Sequence, residues 1–229
     1  MSINQLRSAL LNDAFSGRTK VVYQVRESRS LPHGIVFKRG AIAAYIIDGL
    51  HRRPTFGRVQ LEKGIYLTEA YVGVDLAGRY QRKAAGPYDS DSLYNLESLA
   101  WKRGWFSKHA RGAEDFFYRP GKEIDDRLGA AVTLLGERKQ AMDHLLRLLG
   151  KLDTEQAEVV TTLFAAWNDF LIDGRHPSDE EVIREVRENW QETKKRFSDG
   201  RLQAALSWMR ENDLTPNGIG PHTEIDYGK

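Results

Sequence analysis

The chain has 229 residues, of which 41% are hydrophobic and none is cysteine, so it can fill a sizeable core but cannot form disulfides or thiolate metal sites. No stretch reaches about 18 consecutive apolar residues and the N-terminus lacks the apolar run of a secretory signal, which predicts a cytoplasmic protein without a membrane span. Residues 1–125 carry 20 Lys/Arg against 13 Asp/Glu, whereas residues 126–229 carry 14 against 19, which suggests that the first part faces a polyanion and the second meets protein or solvent.

The first 36 residues are predicted to form a short helix and an extended arm. Apolar side chains recur at spacings of three and four, as in an amphipathic helix over residues 3–15, and these side chains are Ile3, Leu6, Leu10 and Ala14. Gly17 can end this helix in the C-cap position. Residues 19–30 are β-branched and polar, which indicates a strand or an arm, and we expect the folded body to begin near Phe37.

Residues 37–125 are predicted to form a winged-helix-like domain. Its first helix covers residues 39–53 and ends before Pro54, because the residue ahead of a proline is pushed out of helical geometry. Thr55 can cap a second helix that continues to about residue 74.

A basic turn, a third helix and a hairpin complete this predicted domain. The turn contains a Gly-Pro break, after which Asp89 or Ser90 can cap a helix that reaches about residue 103. Strands over residues 105–109 and 115–119 form the candidate wing. The order of helix, basic turn, helix and hairpin is typical of winged-helix DNA-binding units.

Residues 126–229 are predicted to form a helical domain that ends in a mobile tail. A stripe of apolar residues with a spacing of seven opens the domain, and these residues are Leu128, Leu135, Met142 and Leu149. Further helices are expected over residues 155–172, 179–197 and 200–212. Ser178 and Glu181 have the spacing of a capping box. The predicted fold class is therefore mainly α, with a winged-helix-like unit that carries a small β-hairpin, followed by a helical bundle.

Basic side chains of the first part are the candidate contacts to nucleic acid. Arg79, Arg82 and Lys83 crowd one turn with Tyr80 between them, a combination suited to phosphate contacts and to stacking on bases. Arg111 at the hairpin tip would suit a wing in a minor groove. The full set of predicted DNA-binding residues is Arg52, Arg53, Arg58, Lys63, Arg79, Tyr80, Arg82, Lys83, Lys102, Arg103, Lys108 and Arg111. Several of these cations end helices, where the helix dipole also favours them, so a solvated or protein-docking surface is the alternative.

No motif in the sequence points to catalysis or to a cofactor. The six histidines never occur four residues apart, as a helical metal site would need, and no phosphate loop or nucleophile elbow is present. Asp75 ahead of residues 81–83 loosely echoes a metal-nuclease pattern, but a glutamine stands where that chemistry needs a second carboxylate. We therefore expect a non-enzymatic binding protein without a metal or a cofactor.

One stretch resembles the motif that closes the C-terminal conserved helix of type I restriction-modification specificity subunits. It reads Leu-Arg-Ser-Ala-Leu-Leu-Asn-Asp-Ala-Phe-Ser-Gly-Arg over residues 6–18, and in that family a leucine-rich helix ends in an Ala-Phe-x-Gly-(Lys/Arg) turn. The resemblance implies a scaffold that holds methyltransferase subunits. It assigns partner docking to Leu6, Leu10, Leu11, Phe15 and Gly17, and catalysis to no residue.

A second stretch is similar to the Panacea-type antitoxin domain. That family has a Lys-Leu-x-Lys-Leu-Leu-Tyr-like helix and a later Gly-Pro turn. Here the helix is Val-Gln-Leu-Glu-Lys-Gly-Ile-Tyr-Leu-Thr-Glu-Ala at residues 59–70, and the turn is Ala-Gly-Pro-Tyr at residues 85–88, ahead of Leu93 and Tyr94. The resemblance covers residues 37 to about 120 and implies a regulator that neutralises a protein partner.

Two functions follow from these patterns. The first is a non-catalytic DNA-binding and subunit-association module of a type I restriction-modification system, and the alternative is an antitoxin-like regulator that binds a protein. The expected partners are DNA, restriction-modification subunits or a toxin-like protein, and a second copy of the chain in a homodimer.

Overall fold

The computed structural model describes residues 32–112 and 115–225, which are mainly helical with two small antiparallel hairpins, as the predicted mainly α class requires. The α-helices are α1 His33–Leu50, α2 Arg58–Ala70, α3 Ser90–Lys102, α4 Ile124–Leu135, α5 Lys139–Leu149, α6 Thr154–Ile172, α7 Asp179–Glu188 and α8 Asp199–Glu211. The strands are β1 Gln81–Lys83, β2 Gly86–Tyr88, β3 Phe106–Ala110 and β4 Phe116–Pro120, and short 3-10 helices span Gly136–Arg138 and Glu192–Arg196. Within these residues no helix combines the length and the apolar character that crossing a membrane demands.

The predicted N-terminal helix and arm lie outside the described residues. The same holds for the residues to which the specificity-subunit resemblance assigns partner docking, which are Leu6, Leu10, Leu11, Phe15 and Gly17.

Helix α1 begins earlier than predicted and ends sooner. It starts at His33, directly after Pro32, whose φ of −52° suits a helix start and whose carbonyl accepts a hydrogen bond from the N–H of Ile35 at 2.9 Å. It ends at Leu50, three residues short of the predicted end, and the C-cap residue His51 still has helical angles, with its N–H donating to the carbonyl of Ile47.

Helix α2 is shorter than predicted at both ends. Its N-cap residue Gly57 has an extended backbone, and Gly73 takes a φ of +78° just after the helix. Inside the helix Gly64 allows α1 to approach closely, since a Cβ at this position would lie 3.0 Å from Cδ1 of Ile46.

The predicted basic turn is a β-hairpin. Strands β1 and β2 pair antiparallel, with Gln81 opposite Tyr88 and Lys83 opposite Gly86. Gly86 has a φ of +102°, a backbone conformation that other residues rarely adopt. Strands of three residues are too short to show alternation of apolar and polar side chains, so the sequence did not distinguish this hairpin from a turn.

Helix α3 and the β3–β4 hairpin agree with their predictions to within about one residue. The carboxylate of Asp89 accepts a hydrogen bond from the N–H of Ser92 and so caps α3. In the hairpin, Phe106 lies opposite Pro120, and the pairing continues towards the tip, which lies close to residues 113–114 outside the described part.

One hydrophobic core unites the two halves of the described chain. Helix α6 packs against α2, α7, α8 and β2, while α1 packs against α4. The fully buried members of the core include Ile46 and Leu67 from the first half and Leu145 and Phe164 from the second. The boundary predicted after residue 125 therefore does not separate two cores, because the helical half supplies the surface that buries α2.

The end of α7 differs from the prediction. The helix stops at Glu188 instead of continuing to Phe197, and the chain turns into the 3-10 helix. This turn carries Lys194 into the core, where its Nζ lies 2.8 Å from Oε1 of Glu158. Burial lowers the pKa of Lys194, and the contact with Glu158 opposes that shift.

Residues 223 and 224 of the predicted mobile tail make defined contacts with the rest of the chain. Thr223 is only 2% exposed, and the N–H of Glu224 donates to the carbonyl of Tyr80 at 2.8 Å. Residues 226–229 lie outside the described part.

Candidate interaction surface

The side chain of Arg82, predicted to contact phosphate, is buried at the centre of a polar cluster. Its Nη2 lies 3.1 Å from Oδ2 of Asp169, and its Nη1 lies 2.5 Å from Oε1 of Glu185. Its Nε donates to Oγ1 of Thr223 at 3.0 Å, and its guanidinium lies over the ring of Trp190. Arg82 is 5% exposed and neutralised within the chain, so it does not reach a phosphate.

Lys63 and Tyr80 are also buried and bonded internally. The Nζ of Lys63 donates to the carbonyl of Pro87 at 2.8 Å, and burial lowers the pKa of Lys63 to about 8. The hydroxyl of Tyr80 donates to Oε2 of Glu69 at 2.6 Å, and burial raises the pKa of that carboxyl. Because Oε1 of Glu69 accepts two backbone N–H groups from the loop ahead of β1, this pair shapes the loop instead of offering a stacking platform.

The carboxylate of Glu97 binds two further residues of the predicted DNA-binding set, Lys108 and Arg58. Its Oε2 accepts a hydrogen bond from Nζ of Lys108 at 2.6 Å. Its Oε1 accepts from the hydroxyl of Tyr118 at 2.6 Å and from Nε of Arg58 at 3.2 Å. Lys108 is buried, whereas Arg58 is half-buried with its guanidinium 4.3 Å from the ring centre of Tyr94.

We therefore correct the predicted DNA contact of Lys63, Tyr80, Arg82 and Lys108. Each side chain is buried and makes its polar contacts within the chain, so none is available to a phosphate or a base. The residues that sequence reasoning missed are the carboxylates that hold them, namely Glu69, Glu97, Asp169 and Glu185. A signal existed for Glu97, which stands four residues after Leu93 on the inward face of α3.

Three exposed arginines lie on two elements that contact each other, the end of β3 and the loop between α1 and α2. Nη1 of Arg111 donates to the carbonyl of Pro54 at 2.7 Å, so this side chain contacts the loop that carries Arg52 and Arg53. Nε of Arg111 also lies 3.6 Å from Oδ2 of Asp115 in an exposed ion pair, which is worth little. We name Arg52, Arg53 and Arg111 the arginine rim.

The other predicted contacts belong to different elements. Arg79 is exposed in the loop ahead of β1, and Lys83 is half-buried at the end of β1. Lys102 and Arg103 are exposed at the C-terminal end of α3, where the guanidinium of Arg103 lies 5.6 Å from the ring centre of Phe37.

The outward side of α3 carries one acidic residue, uncharged polar residues and an aromatic side chain. Asp91 is exposed, Asn95 and Ser98 are half-buried, and Trp101 is 49% exposed. The helix contains no Lys or Arg before Lys102, its last residue. In a helix-turn-helix or winged-helix unit a helix in this position enters the DNA groove, where cations along it contact phosphates and bases. This side of α3 suits a protein surface better than DNA.

No group of three or more His, Asp or Glu side chains is placed to hold a metal ion within residues 32–112 and 115–225. In the nuclease-like pattern, the carboxylate of Asp75 accepts a hydrogen bond from the N–H of Ala77 at 2.9 Å, while the side chain of Arg82 is buried in the core.

No protein-family model and no curated protein matches the chain. The functional interpretation therefore depends on the contacts of the residues described above.

Proposed function

We propose that the chain is a non-catalytic protein-docking module, an antitoxin-like regulator that acts by binding a protein partner. The observation that carries this proposal is the burial of three cations of the predicted DNA-binding set, two of them in ion pairs within the chain. Lys63, Arg82 and Lys108 are buried and engaged by groups of the same chain, so the excess of basic residues in the first half does not become a continuous surface for a polyanion.

The contacts between the two stretches that resemble the Panacea-type antitoxins support this choice. Lys63 of the helical stretch donates to the carbonyl of Pro87 in the Gly-Pro turn. A Cβ on Gly86 would lie 3.4 Å from Nζ of Lys63, so the turn fits closely against the helix. The resemblance thus rests on residues that build one packed unit. The resemblance to specificity subunits falls on residues 6–18, which lie outside the described residues.

The outward side of α3 is the docking face that we propose. Trp101 exposes half of a large aromatic side chain, and aromatic residues are enriched at the centres of protein interfaces. Asp91, Asn95 and Ser98 continue this face, which carries one carboxylate and, four residues after Ser98, the exposed cation of Lys102 at its C-terminal end. Before its C-terminal end, the helix therefore offers no cation to a phosphate, and its charge is better matched to a protein partner.

Co-purification with the products of neighbouring genes tests the proposal. We expect a tagged chain to retain a toxin-like partner in a stoichiometric complex, and Trp101→Glu to weaken that complex about tenfold or more, as expected for an aromatic anchor. Val132→Glu is the matched control, because Val132 is 45% exposed on α4 and lies outside the proposed face. If no product of a neighbouring gene forms a complex with the chain, or if the Trp101→Glu and Val132→Glu variants bind the partner equally well, the proposal fails.

The second candidate function is DNA association within a type I restriction-modification assembly, with the arginine rim as the contact. The hydrogen bond from Nη1 of Arg111 to the carbonyl of Pro54 favours it, because it brings Arg111 to the loop that carries the exposed residues Arg52 and Arg53. Fluorescence anisotropy with a generic duplex at low and high salt tests it. Phosphate contact requires binding that weakens with salt, with a smaller salt dependence after joint substitution of Arg52, Arg53 and Arg111 by alanine and no change after Arg79→Ala.

A further inference from the structure

The outer edge of β1 is covered by the C-terminal segment of the same chain. The N–H of Arg82 donates to the carbonyl of Glu224 at 2.8 Å, and the N–H of Glu224 donates to the carbonyl of Tyr80 at 2.8 Å. Gln81 and Glu224 therefore pair in parallel, as in a third strand added to the β1–β2 hairpin. An extended segment that adds to a sheet edge in this way is a common mode of peptide recognition.

A single side chain of the segment is recognised in a buried pocket. The N–H of Thr223 donates to Oδ1 of Asp169 at 3.0 Å, and its hydroxyl donates to Oδ2 of the same carboxylate. The same hydroxyl oxygen accepts a hydrogen bond from Nε of Arg82 at 3.0 Å. Asp169 and Arg82 are only 3% and 5% exposed. Together they form a buried site that binds both the backbone N–H and the hydroxyl of Thr223.

Polar contacts, rather than large apolar anchors, hold the segment. Ile219 and Ile225 are 37% and 49% exposed, and the approach to the site is fixed by hydrogen bonds between the side-chain amide of Asn168 and the backbone of residues 218–219. A surface groove of about 430 Å³, lined in part by Gly73, Val74 and Ile219, runs beside the segment. Such a segment can dissociate from the edge of β1 without opening the hydrophobic core. The neighbouring groove can accommodate a ligand that is longer than this segment.

We propose that the edge of β1, with Asp169 and Arg82 behind it, is a binding site for an extended peptide that carries threonine or serine. Residues 222–225 fill this site in cis, and the extended segment of a protein partner displaces them. This inference rests on the proposed protein-docking function and gives the partner a defined chemistry: a strand that pairs in parallel with β1 and places a hydroxyl between Asp169 and Arg82.

A labelled peptide of residues 216–225, added to the full-length chain, tests the site by fluorescence anisotropy. In the wild-type protein the tethered segment competes at an effective concentration on the order of millimolar, so the peptide binds weakly. Thr223→Val keeps the shape of the side chain but removes the hydroxyl of the tethered segment, and leaves Asp169 and Arg82 unchanged. We expect the peptide to bind this variant about tenfold more tightly than the wild type.

The control is the same peptide with valine in place of its threonine, which is expected to bind the Thr223→Val chain about tenfold more weakly than the threonine peptide. Equal binding of the two peptides, or no binding to a variant that circular dichroism shows to be folded, overturns the proposal. If the Thr223→Val variant does not fold, amide hydrogen exchange on the wild-type protein tests whether the C-terminal segment leaves the site. The amide of Glu224 must exchange faster than those of α6, because exchange only through global unfolding means that the segment never leaves.

The two proposals fail in different ways. If a protein partner binds the wild type and Thr223→Val equally, the peptide site is wrong and protein docking stands. If the peptide binds as expected but no partner forms a complex, the peptide site stands and the proposed regulator function is wrong.

Discussion

Nη2 of Arg82 lies 3.1 Å from Oδ2 of Asp169, so a buried ion pair fastens the β1–β2 hairpin to helix α6. Both side chains are almost fully buried, and Glu185 contacts the same guanidinium. Arg82, one of the three cations of the predicted phosphate-binding turn, is therefore part of the buried structure.

Arg82→Ala is expected to destabilise the protein by about 3–5 kcal/mol, because it leaves Asp169 buried without its cation. Urea unfolding followed by circular dichroism measures the change. Arg79→Ala, three residues away and exposed, is the matched control and should change the free energy of unfolding by less than about 0.5 kcal/mol. Similar small effects in both variants would mean that the ion pair is not formed in solution.

Glu97→Gln is expected to lower stability by about 3 kcal/mol, because the amide has no charge to balance Lys108 and Arg58. For a domain of this size the loss corresponds to a decrease in Tm of roughly 6–12 °C, which calorimetry can detect. Glu188→Gln removes the charge of an exposed glutamate and should leave Tm nearly unchanged. An equal Tm for the two variants would contradict the role of Glu97.

Lys63 is expected to make stability depend on pH above neutrality. Burial lowers its pKa from 10.5 to about 8, so between these values the unfolded chain binds more protons than the folded chain. The contribution of Lys63 to the free energy of unfolding therefore rises with pH from about 8 to 10.5, by up to about 1.4 kcal/mol per pH unit. Urea unfolding at several pH values should show a smaller rise in Lys63→Met than in the wild type, and parallel curves for the two proteins would rule the effect out.

Two glycines are expected to respond to alanine with opposite signs. Gly86 has a φ of +102°, and a Cβ there would lie 2.9 Å from Oγ1 of Thr162, so Gly86→Ala should destabilise by about 1–3 kcal/mol. Gly129 lies inside α4 with no heavy atom within 4 Å of a Cβ, so Gly129→Ala should stabilise by about 0.5–1 kcal/mol. Thermal unfolding of both variants checks the signs, and a stabilising Gly86→Ala would show that the hairpin turn is not held as described.

Local interactions account for what the sequence predicted correctly. Ser178 and Glu181 form the capping box in both directions, and Asp89 caps α3. A cap joins residues about three positions apart, so the sequence contains both partners within one short window. The same reasoning holds for β3 and β4, which are separated by five residues in the sequence.

Distant interactions account for what the sequence could not predict about the site. The cations at positions 63, 82 and 108 have the composition of a phosphate-binding surface, but Arg82 finds its partners 87 and 103 residues later in the chain. Periodicity indicates that Glu97 faces inward with Leu93, and hence that a buried cation must accompany it. It does not identify which cation, because that choice depends on how α3 packs against the strands.

The hydrogen bond between Arg82 and Thr223 joins residues 141 positions apart, which has a consequence for protein synthesis. At about 5–20 residues per second, a ribosome needs roughly 7–28 s to make the intervening chain, and during that time the guanidinium has no hydroxyl partner. The β1–β2 hairpin therefore waits for this contact while helices α3 to α8 are translated. Residues translated late complete the fold of a hairpin that was translated early.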